Sequence, residues 1–431
     1  MSKRLDFDSA NFSESLERLL GSKRESNSDV NGAVAKIIAD IRERGDEALL
    51  AFTARYDGLT VGSVDELMIS GDVLKTALDG LDDALRQSLE LAAVRIQSFH
   101  EKQRPDGFTY SDEVGVRLAM RHTPVDAVGM YVPGGKAAYP SSVLMNAIPA
   151  MVANVKRRVM VVPTLNGDIN DLVLAAAALA GVTEVWRIGG AQAVAALAYG
   201  TQTIAAVDKI VGPGNAYVAA AKRQVFGQVG IDSIAGPSEI LVVADAHNDP
   251  TWIAADLLSQ AEHDEAAQSI LITDNVAFAD AVDAAVSAIL PTLDRAAVAG
   301  QSWQDNGAII TVPDMDEMPA IADRIAAEHL ELALDYADEW ARKISHAGAI
   351  FLGRYTPEAI GDYVAGPNHV LPTARTARFS SGLGVADFMK RTTMVSCDAG
   401  SFGQIAPAGV ALAEAEGLGA HALSMRIRMN H

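Results

Sequence analysis

The sequence predicts an α/β protein built from parallel sheets with helices packed on their faces. From residue 127 onward, short apolar runs alternate with Ala-rich helical segments, and each apolar run is followed by a turn containing Gly or Pro. Four such runs come first, at residues 128–132, 159–162, 185–188 and 210–211. A second series has apolar runs at 240–244, 270–273 and 308–312. Strand, turn and helix repeated in this order indicate parallel sheets, and two series predict two α/β units with Ser238 near their junction.

The two ends of the chain predict smaller modules. Ala33, Ile37, Ile38 and Ile41 fall on one face of a helix, and a second apolar stripe runs from residue 85 to 96. Beyond about residue 380 the chain is punctuated by glycines, then forms a helix expected at 407–416. Because ligands of α/β proteins usually bind at the carboxyl ends of strands, we expect a cleft between the two units at those ends.

The composition restricts the partners of the protein. The chain has 431 residues, with 35 Lys and Arg against 55 Asp and Glu, which gives a formal net charge of −20. Such a surface repels nucleic-acid phosphates and anionic membranes, so we expect neither as a partner. No signal peptide is recognisable, and the apolar runs are broken before they reach the ~18 residues of a membrane span. We therefore expect a cytoplasmic protein.

The single cysteine, Cys397, restricts the chemistry. One thiol allows no disulfide within the chain and fits a reducing compartment. It also excludes zinc sites built from several thiolates, so His, Asp, Glu or Gln must supply most of the ligands of any transition metal. A thiol-dependent aldehyde dehydrogenase is disfavoured, because no evident base stands beside Cys397 in the sequence.

Two segments place chemically useful side chains near helix ends. Residues 249–263 predict a helix with Asp249 as its N-cap, on which Gln260 and His263 are three residues apart and can share a metal ion. The same pattern also fits a solvated helix end with a favourably placed histidine. Glu328 and His329 stand side by side, and such a pair is either a general base with its partner or a surface pair at a helix end.

Two further segments are rich in turn residues. The stretch 360–373 offers Asp362 and His369, either as ligands or as side chains that hydrogen-bond a structural turn. The stretch 414–421 offers Glu416 and His421 around a glycine that can end a helix. Gln260, His263, Asp362 and His421 together make one possible four-coordinate shell of nitrogen and oxygen ligands.

The sequence contains no Gly-x-Gly-x-x-Gly fingerprint for a dinucleotide. Residues 189–192 and 212–215 are glycine-rich connections from strand to helix, but they do not have that spacing. Taken alone, these glycines are more typical of tight turns than of a phosphate-binding loop.

Several segments, in order along nearly the whole chain, resemble the histidinol dehydrogenase family. They are residues 129–135, 211–215, 235–239, 259–263, 327–331, 361–363, 368–373 and 420–421. Two small departures, Gly384 and Pro367, touch none of the positions that the family uses as ligands.

The resemblance implies two incomplete Rossmann-like domains with small helical modules at both ends. The expected divisions are 1–24 for an N-terminal segment, 25–130 with 239–380 for a discontinuous first α/β domain, 131–238 for a second, NAD-contacting α/β domain, and 381–431 for a C-terminal module that packs on a partner subunit. It also implies a homodimer with one zinc ion per subunit and with active sites shared between the subunits.

The resemblance also implies roles for the matching positions. The zinc ligands would be Gln260, His263 and Asp362 of one subunit and His421 of the other. Glu328 and His329 would be the catalytic bases. The NAD contacts would be Tyr131, Gln192 and Asn215. The substrate contacts would be Ser238, His329, His369 and Glu416, together with the zinc ligands.

The reaction implied by the resemblance is oxidation of L-histidinol to L-histidine through L-histidinal, with two NAD⁺ consumed, at the end of histidine biosynthesis. In this scheme His329 removes the alcohol proton and Glu328 activates the water that hydrates the aldehyde. A related dehydrogenase for another small alcohol is the alternative enzyme. A protein that only binds a metal or ligand is a third possibility, but binding alone would not need the Glu328–His329 pair.

Overall fold

The structure, a computed structural model, describes residues 3–21, 28–134, 139–234 and 236–429. Gly135 and Ala235, which belong to two of the family-like segments, lie outside these ranges. The described chain is a mixed α/β fold with two six-stranded, largely parallel sheets, so the predicted fold class is confirmed. Among the described helices, none has the length and apolar character needed to cross a membrane.

The strands of the described residues are as follows. They are β1 (Lys3–Asp6), β2 (Met68–Ile69), β3 (Phe108–Ser111), β4 (Arg117–Pro124), β5 (Ala127–Tyr131), β6 (Arg157–Val161), β7 (Glu184–Trp186), β8 (Lys209–Val211), β9 (Gly230–Ile231), β10 (Glu239–Ala244), β11 (Gln268–Thr273), β12 (Ala308–Thr311), β13 (His329–Ala333), β14 (Ala349–Leu352) and β15 (Met389–Ser396).

The α-helices of the same residues are as follows. They are α1 (Phe12–Gly21), α2 (Ser28–Arg44), α3 (Asp46–Tyr56), α4 (Gly71–Asp79), α5 (Asp83–Glu101), α6 (Pro140–Val152), α7 (Asp171–Leu179), α8 (Gly190–Tyr199), α9 (Ala216–Val225), α10 (Pro250–Ala261), α11 (Val276–Ile289), α12 (Ala296–Asn306), α13 (Met318–Ile325), α14 (Ala337–Ala341), α15 (Glu358–Tyr363), α16 (Ala399–Ala415) and α17 (Gly419–Arg426).

Sheet I has the strand order β1-β12-β11-β10-β13-β14, and all its neighbours pair in parallel. The central strands β10 and β11 are buried along their whole length, because a hydrophobic cluster covers each face of the sheet. A parallel strand buried on both faces must be apolar almost throughout. This explains why these strands are visible in the sequence as continuous apolar runs.

Sheet II has the order β2-β7-β6-β5-β8-β9. The short edge strand β2 is antiparallel to β7, and the other neighbours are parallel. A third, antiparallel sheet has the order β15-β4-β3, and β15 is exposed along nearly all of its length.

The segment 28–131 does not lie where the expected division of the chain put it. That division grouped residues 25–130 with 239–380, but β2 pairs with β7, and α2 contacts α8 and α9. The reason is the apolar face of α2, whose Val34, Ile37 and Ile41 are buried in one cluster with Val194 and Leu197 of α8. An amphipathic stripe in the sequence shows that a helix is buried, but not against which sheet.

The N-terminal segment also joins a sheet. Lys3–Asp6 pairs with Ala308–Thr311, which makes β1 the edge strand of sheet I. Helix α1 then packs Leu16, Leu19 and Leu20 into the cluster on one face of that sheet.

The two sheets face the cleft between them with opposite ends of their strands. Tyr131 and Val211 end strands of sheet II, so this sheet contributes the carboxyl ends of its strands. Ser238 and Glu328 precede β10 and β13, so sheet I contributes the amino ends of its strands. The expectation of a cleft at carboxyl ends is therefore correct for sheet II and wrong for sheet I.

The packing of α1 on sheet I predicts the effect of truncating Leu16, which is fully buried. We expect Leu16→Ala to lower the free energy of unfolding by about 2–5 kcal/mol, because it leaves a cavity in the core. Urea denaturation followed by circular dichroism measures this loss. Glu14→Ala on the same helix is the matched control, since Glu14 is three-quarters exposed, and we expect a change within about 0.5 kcal/mol. A loss no larger for Leu16→Ala than for Glu14→Ala would contradict the described packing of α1.

Candidate active site

One large cavity, of about 1340 Å³, lies between the two sheets. Nine of the residues singled out from the sequence line it. They are Tyr131, Gln192, Asn215, Ser238, His263, Glu328, His329, Asp362 and His369. Residues more than 200 positions apart in the chain are thus brought to one cavity.

The strand register of sheet I places Glu328 and His329. Strand β13 begins at His329, which pairs with Ile240 of β10, so Glu328 lies beside the start of β10. There the backbone N–H of Glu239 donates to Glu328 Oε2 at 3.0 Å, and the side chain of Ser238 also hydrogen-bonds Glu328. Glu328 and His329 are both buried. The interpretation of this pair as an exposed helix end is therefore wrong.

The neighbours of His329 determine which ring nitrogen carries the proton. Nδ1 lies 3.1 Å from the carbonyl oxygen of Glu239 and 3.1 Å from Oε1 of Gln260. Both are acceptors, so we assign the proton to Nδ1. Nε2 then has a free lone pair, and it has no hydrogen-bond partner among the described residues. An imidazole held in this way is ready to accept a proton at Nε2.

Burial changes the ionisation of this pair. It lowers the pKa of His329 to about 4, although the negative charge of Asp362 acts in the opposite direction. The imidazole is therefore neutral near pH 7 and can act as a base. Burial also raises the pKa of Glu328 well above its ordinary value, against the hydrogen bond from the Glu239 N–H. The Glu328 carboxyl therefore gives up its proton less readily than an exposed one, and once it is ionised it is a stronger base.

Helix α15 brings Asp362 to the same corner of the cavity, together with a carboxyl group that sequence reasoning missed. Glu358 stands one turn before Asp362 and is buried, with Oε1 3.7 Å from His329 Nε2. Burial, and then the charge of Asp362, raises the pKa of Glu358 to about 10. The spacing of four residues between two acids on one helix was the signal that could have identified Glu358.

The donor atoms of this corner fit a divalent cation. His329, Glu358 and Asp362 each offer one ligand atom, and these three atoms lie within 4.8 Å of one another. Glu358 Oε1 and His329 Nε2 are buried without hydrogen-bond partners in the described part of the chain. Unsatisfied buried atoms of this kind require an explanation, and a cation bound beside Glu358 and Asp362 supplies one for the carboxyl oxygen.

The ligand set expected from the sequence is only partly brought together. Gln260, at the end of α10, is fully buried and points its Oε1 at His329, and His263 lines the cavity just beyond the helix. His369 Nδ1 is 3.6 Å from Asp362 Oδ1, so the two predicted residues of that loop do meet. His421 on α17 is exposed and does not line the cavity within this subunit, and the same is true of Glu416.

The three positions expected to contact NAD also support the turns around the cavity. The hydroxyl of Tyr131 accepts the N–H of Gly190 at 3.0 Å, and burial raises its pKa to about 12, so it stays neutral. Gln192 Nε2 donates to Asp57 Oδ2 at 3.4 Å. Asn215 caps α9 by accepting the N–H groups of Tyr217 and Val218. The glycines beside them do make tight turns, as the sequence indicated, because Gly190 and Gly212 both have positive φ.

Comparison with known proteins decides the family. The family model described as histidinol dehydrogenase matches residues 20–429. The chain belongs to the histidinol dehydrogenase family. Histidinol dehydrogenase of Rhodospirillum rubrum is 65% identical over 431 residues, which cover 100% of this chain and 99% of that protein. That of Gluconobacter oxydans is 58% identical over 427 residues, 99% of each.

A solved structure agrees with the sequence comparison. The crystal structure of histidinol dehydrogenase from Elizabethkingia anophelis superposes with a TM-score of 0.94 at 33% identity, covering 100% of this chain and 98% of that one. The resemblance read from the glycine-rich and histidine-containing segments is thereby confirmed, as is the fold it implied. This chain therefore has the full-length fold of the family, with a cavity between its two sheets.

Proposed function

We propose that this chain oxidises L-histidinol to L-histidine through L-histidinal and reduces two NAD⁺ per histidinol. The observation that carries the proposal is the cavity itself, where a buried base, His329, faces the glycine-rich turns of sheet II. The family membership supports the same reaction. A pathway enzyme that uses a soluble dinucleotide and has one exposed cysteine fits the cytoplasm, which we propose as its location.

The sheet II side of the cavity suits the dinucleotide. Ligands of open α/β sheets bind beyond the carboxyl ends of the strands, and Tyr131, Gln192 and Asn215 lie there. We assign NAD⁺ to these residues. The turns have no phosphate fingerprint, so recognition must rely on side chains and on the shape of the turns.

The sheet I side suits acid–base chemistry on the alcohol. His329 takes the hydroxyl proton at Nε2 while the carbon gives a hydride to NAD⁺, leaving the aldehyde, NADH and one proton. Glu328 then takes a proton from a water molecule while the oxygen of that water bonds to the aldehyde carbon. His329 releases its first proton to solvent, and the hydrate then gives a second hydride to a second NAD⁺ and becomes the carboxylate as His329 accepts another proton. Substrate contacts from Ser238 and His369 would hold the histidinol in place.

We assign zinc to Gln260, His263 and Asp362 of one subunit with His421 of the partner subunit. The donors are all nitrogen or oxygen, which suits a zinc ion held without thiolates. A bound zinc ion would supply positive charge that fixes the substrate's nitrogen atoms and orients its alcohol carbon. Glu358 offers a further oxygen beside Asp362 and is the one candidate ligand that the family-like segments did not include.

The C-terminal module supports a homodimer with shared sites. Residues on β15, α16 and α17 expose large apolar side chains, among them Val395 and Leu412, each about two-thirds exposed. The buried cluster within the module is small, formed by Val410, Ala413 and Ala422. Apolar surface of this kind marks an interface with another chain. Glu416 and His421 lie on this module, where they would reach the cavity of the partner subunit and complete its substrate and zinc contacts.

The activity is tested by measuring NADH formed from L-histidinol. We expect two NADH per histidinol, and little reduction with leucinol or phenylalaninol, which lack the imidazole. Dialysis against a chelator should remove zinc and activity together, and added Zn²⁺ should restore both. Metal analysis of the active protein gives the zinc content. Full activity in protein shown to be free of zinc would remove the metal assignment, and no NADH from histidinol in zinc-loaded protein would remove the function.

The two bases should differ in which oxidation they serve. We expect His329→Asn to slow oxidation of both histidinol and histidinal by about 10²–10⁴-fold, because it removes the base for each hydride transfer. Glu328→Gln should slow histidinal oxidation much more than the first step, because only the aldehyde needs water. Single-turnover rates with each substrate measure this. Zinc content must match that of the unchanged protein, and equal losses on both substrates in both variants would refute the division of roles.

Shared sites predict complementation between two inactive variants. His263→Ala removes a ligand from a subunit's own site, and His421→Ala removes the ligand that it donates. A mixed dimer then has one site with both defects and one intact site. Co-expression with two different tags and purification of the heterodimer should recover up to half of the activity per dimer.

An exposed histidine outside the cavity provides the control for that experiment. His247→Ala should leave the homodimer fully active, since His247 does not line the cavity. A zinc-loaded heterodimer that stays inactive would place His421 outside the partner's site.

A further inference from the structure

A buried ion pair stands beside the cavity and takes no part in the chemistry described above. Lys222 of α9 and Asp232, just after β9, contact each other through Nζ and Oδ1, with only 3% and 4% of their side chains exposed. Desolvating two charges consumes about as much free energy as their attraction returns, so such a pair is a poor source of stability. Its position suggests a different use.

Both members of the pair hold the backbone of the same residue, Gly212. The N–H of Gly212 donates to Asp232 Oδ2 at 2.7 Å, and Lys222 Nζ donates to the carbonyl oxygen of Gly212 at 2.9 Å. Asp232 is itself fixed, because its backbone N–H bonds the carbonyl of Ile210 on β8. The two polar groups of Gly212 are therefore oriented by one charge each.

Gly212 is held where no other residue fits. Its φ is +102°, and a Cβ built on it would lie 2.2 Å from the carbonyl oxygen of Tyr131. The turn that follows, Pro213-Gly214-Asn215, leads directly into α9 and lines the cavity. The ion pair thus fixes how this turn lies against the end of β5, where Tyr131 stands.

We propose that Lys222 and Asp232 are positioning residues for the dinucleotide: their ion pair clamps Gly212 so that the 213–215 turn and Tyr131 keep the shape that binds NAD⁺. This inference rests on the proposed function, because that function assigns NAD⁺ to Tyr131 and Asn215. Without a phosphate fingerprint, the shape of this turn must come from side chains elsewhere, and these two side chains supply it.

The decisive variant removes both charges at once. Lys222→Met with Asp232→Leu leaves no unpaired buried charge, so the protein should fold with a melting temperature close to that of the unchanged protein. Both contacts to Gly212 are lost, and we expect the Kd for NAD⁺ to rise by about tenfold or more. The value of kcat at saturating NAD⁺ should change by less than about threefold and the KM for histidinol should stay constant, because the substrate side is untouched.

Two further variants make the experiment specific. Lys222→Met with Asp232→Asn keeps an amide oxygen that can accept the N–H of Gly212. Its Kd for NAD⁺ should therefore lie between that of the unchanged protein and that of the apolar variant. It also serves as the test if the apolar variant does not fold. Lys209→Met is the matched control, because Lys209 begins the same strand β8 and pairs with Asp387 away from the cavity. Its Kd for NAD⁺ should not change.

Calorimetric titration with NAD⁺ and steady-state kinetics with histidinol separate the outcomes. Unchanged NAD⁺ affinity in the apolar variant overturns the clamp and leaves the proposed function standing. A rise in the KM for histidinol as large as the rise in the Kd for NAD⁺ also overturns the clamp, since the pair would then support the whole site. Failure of the unchanged protein to bind NAD⁺ removes the proposed function and this inference with it.

Discussion

The candidate active site depends on the burial of ionisable side chains in one corner of the cavity. Glu328 and His329, at the start of β13, lie beside Glu358 and Asp362 of α15, and the first three side chains are almost completely removed from water. Burial disfavours every charged form, so it raises the pKa values of Glu328 and Glu358 and lowers that of His329. A cation bound beside these groups shifts the carboxyls back toward ionisation. The protonation of these groups therefore depends on their burial and on any positive charge bound beside them.

The surrounding fold holds this corner through backbone donors. The N–H of Glu239 bonds Glu328, and the N–H of Glu358, at the start of α15, bonds the buried carboxyl of Glu331 on β13. Burial raises the pKa of Glu331 as well, with repulsion from Asp256 of α10 acting in the same direction. The hydrogen bond from the N–H of Glu358 to Glu331 thus joins α15 to β13 behind the cavity. This arrangement explains how a short helix of six residues can place Asp362.

The sequence predicts those features that depend on local patterns. The strands β10 and β11 were recognisable because both faces are buried, and α10 because Asp249 caps it and Pro250 begins it. The helix expected at 407–416 begins earlier, at Ala399. Asp398 and Ser401 form its cap, and Pro407, the first residue of the expected range, lies inside the helix.

Local sequence patterns did not predict which surfaces pack against each other. The stripe on α2 indicates burial but not its partner, and the helix packs on sheet II. Glu358 follows a proline in a stretch that resembles a turn, so only its spacing from Asp362 pointed to the site. Glu416 and His421 are exposed on the C-terminal module, and no local pattern specifies what they contact.

The crossing between the two sheets joins the side of the cavity proposed for the cofactor to the side proposed for the substrate. After β9, Asp232 holds Gly212 on the sheet II side, and six residues later Ser238 hydrogen-bonds Glu328 on the sheet I side. Between them the N–H of Gly236 donates to Thr373 Oγ1 at 2.6 Å, which anchors the described part of the crossing to the loop that follows His369. Hydride transfer needs the reacting carbons within about 3–3.5 Å. This short connection is held by hydrogen bonds at both ends and in its described middle, so it links one fixed point in each sheet across the cavity.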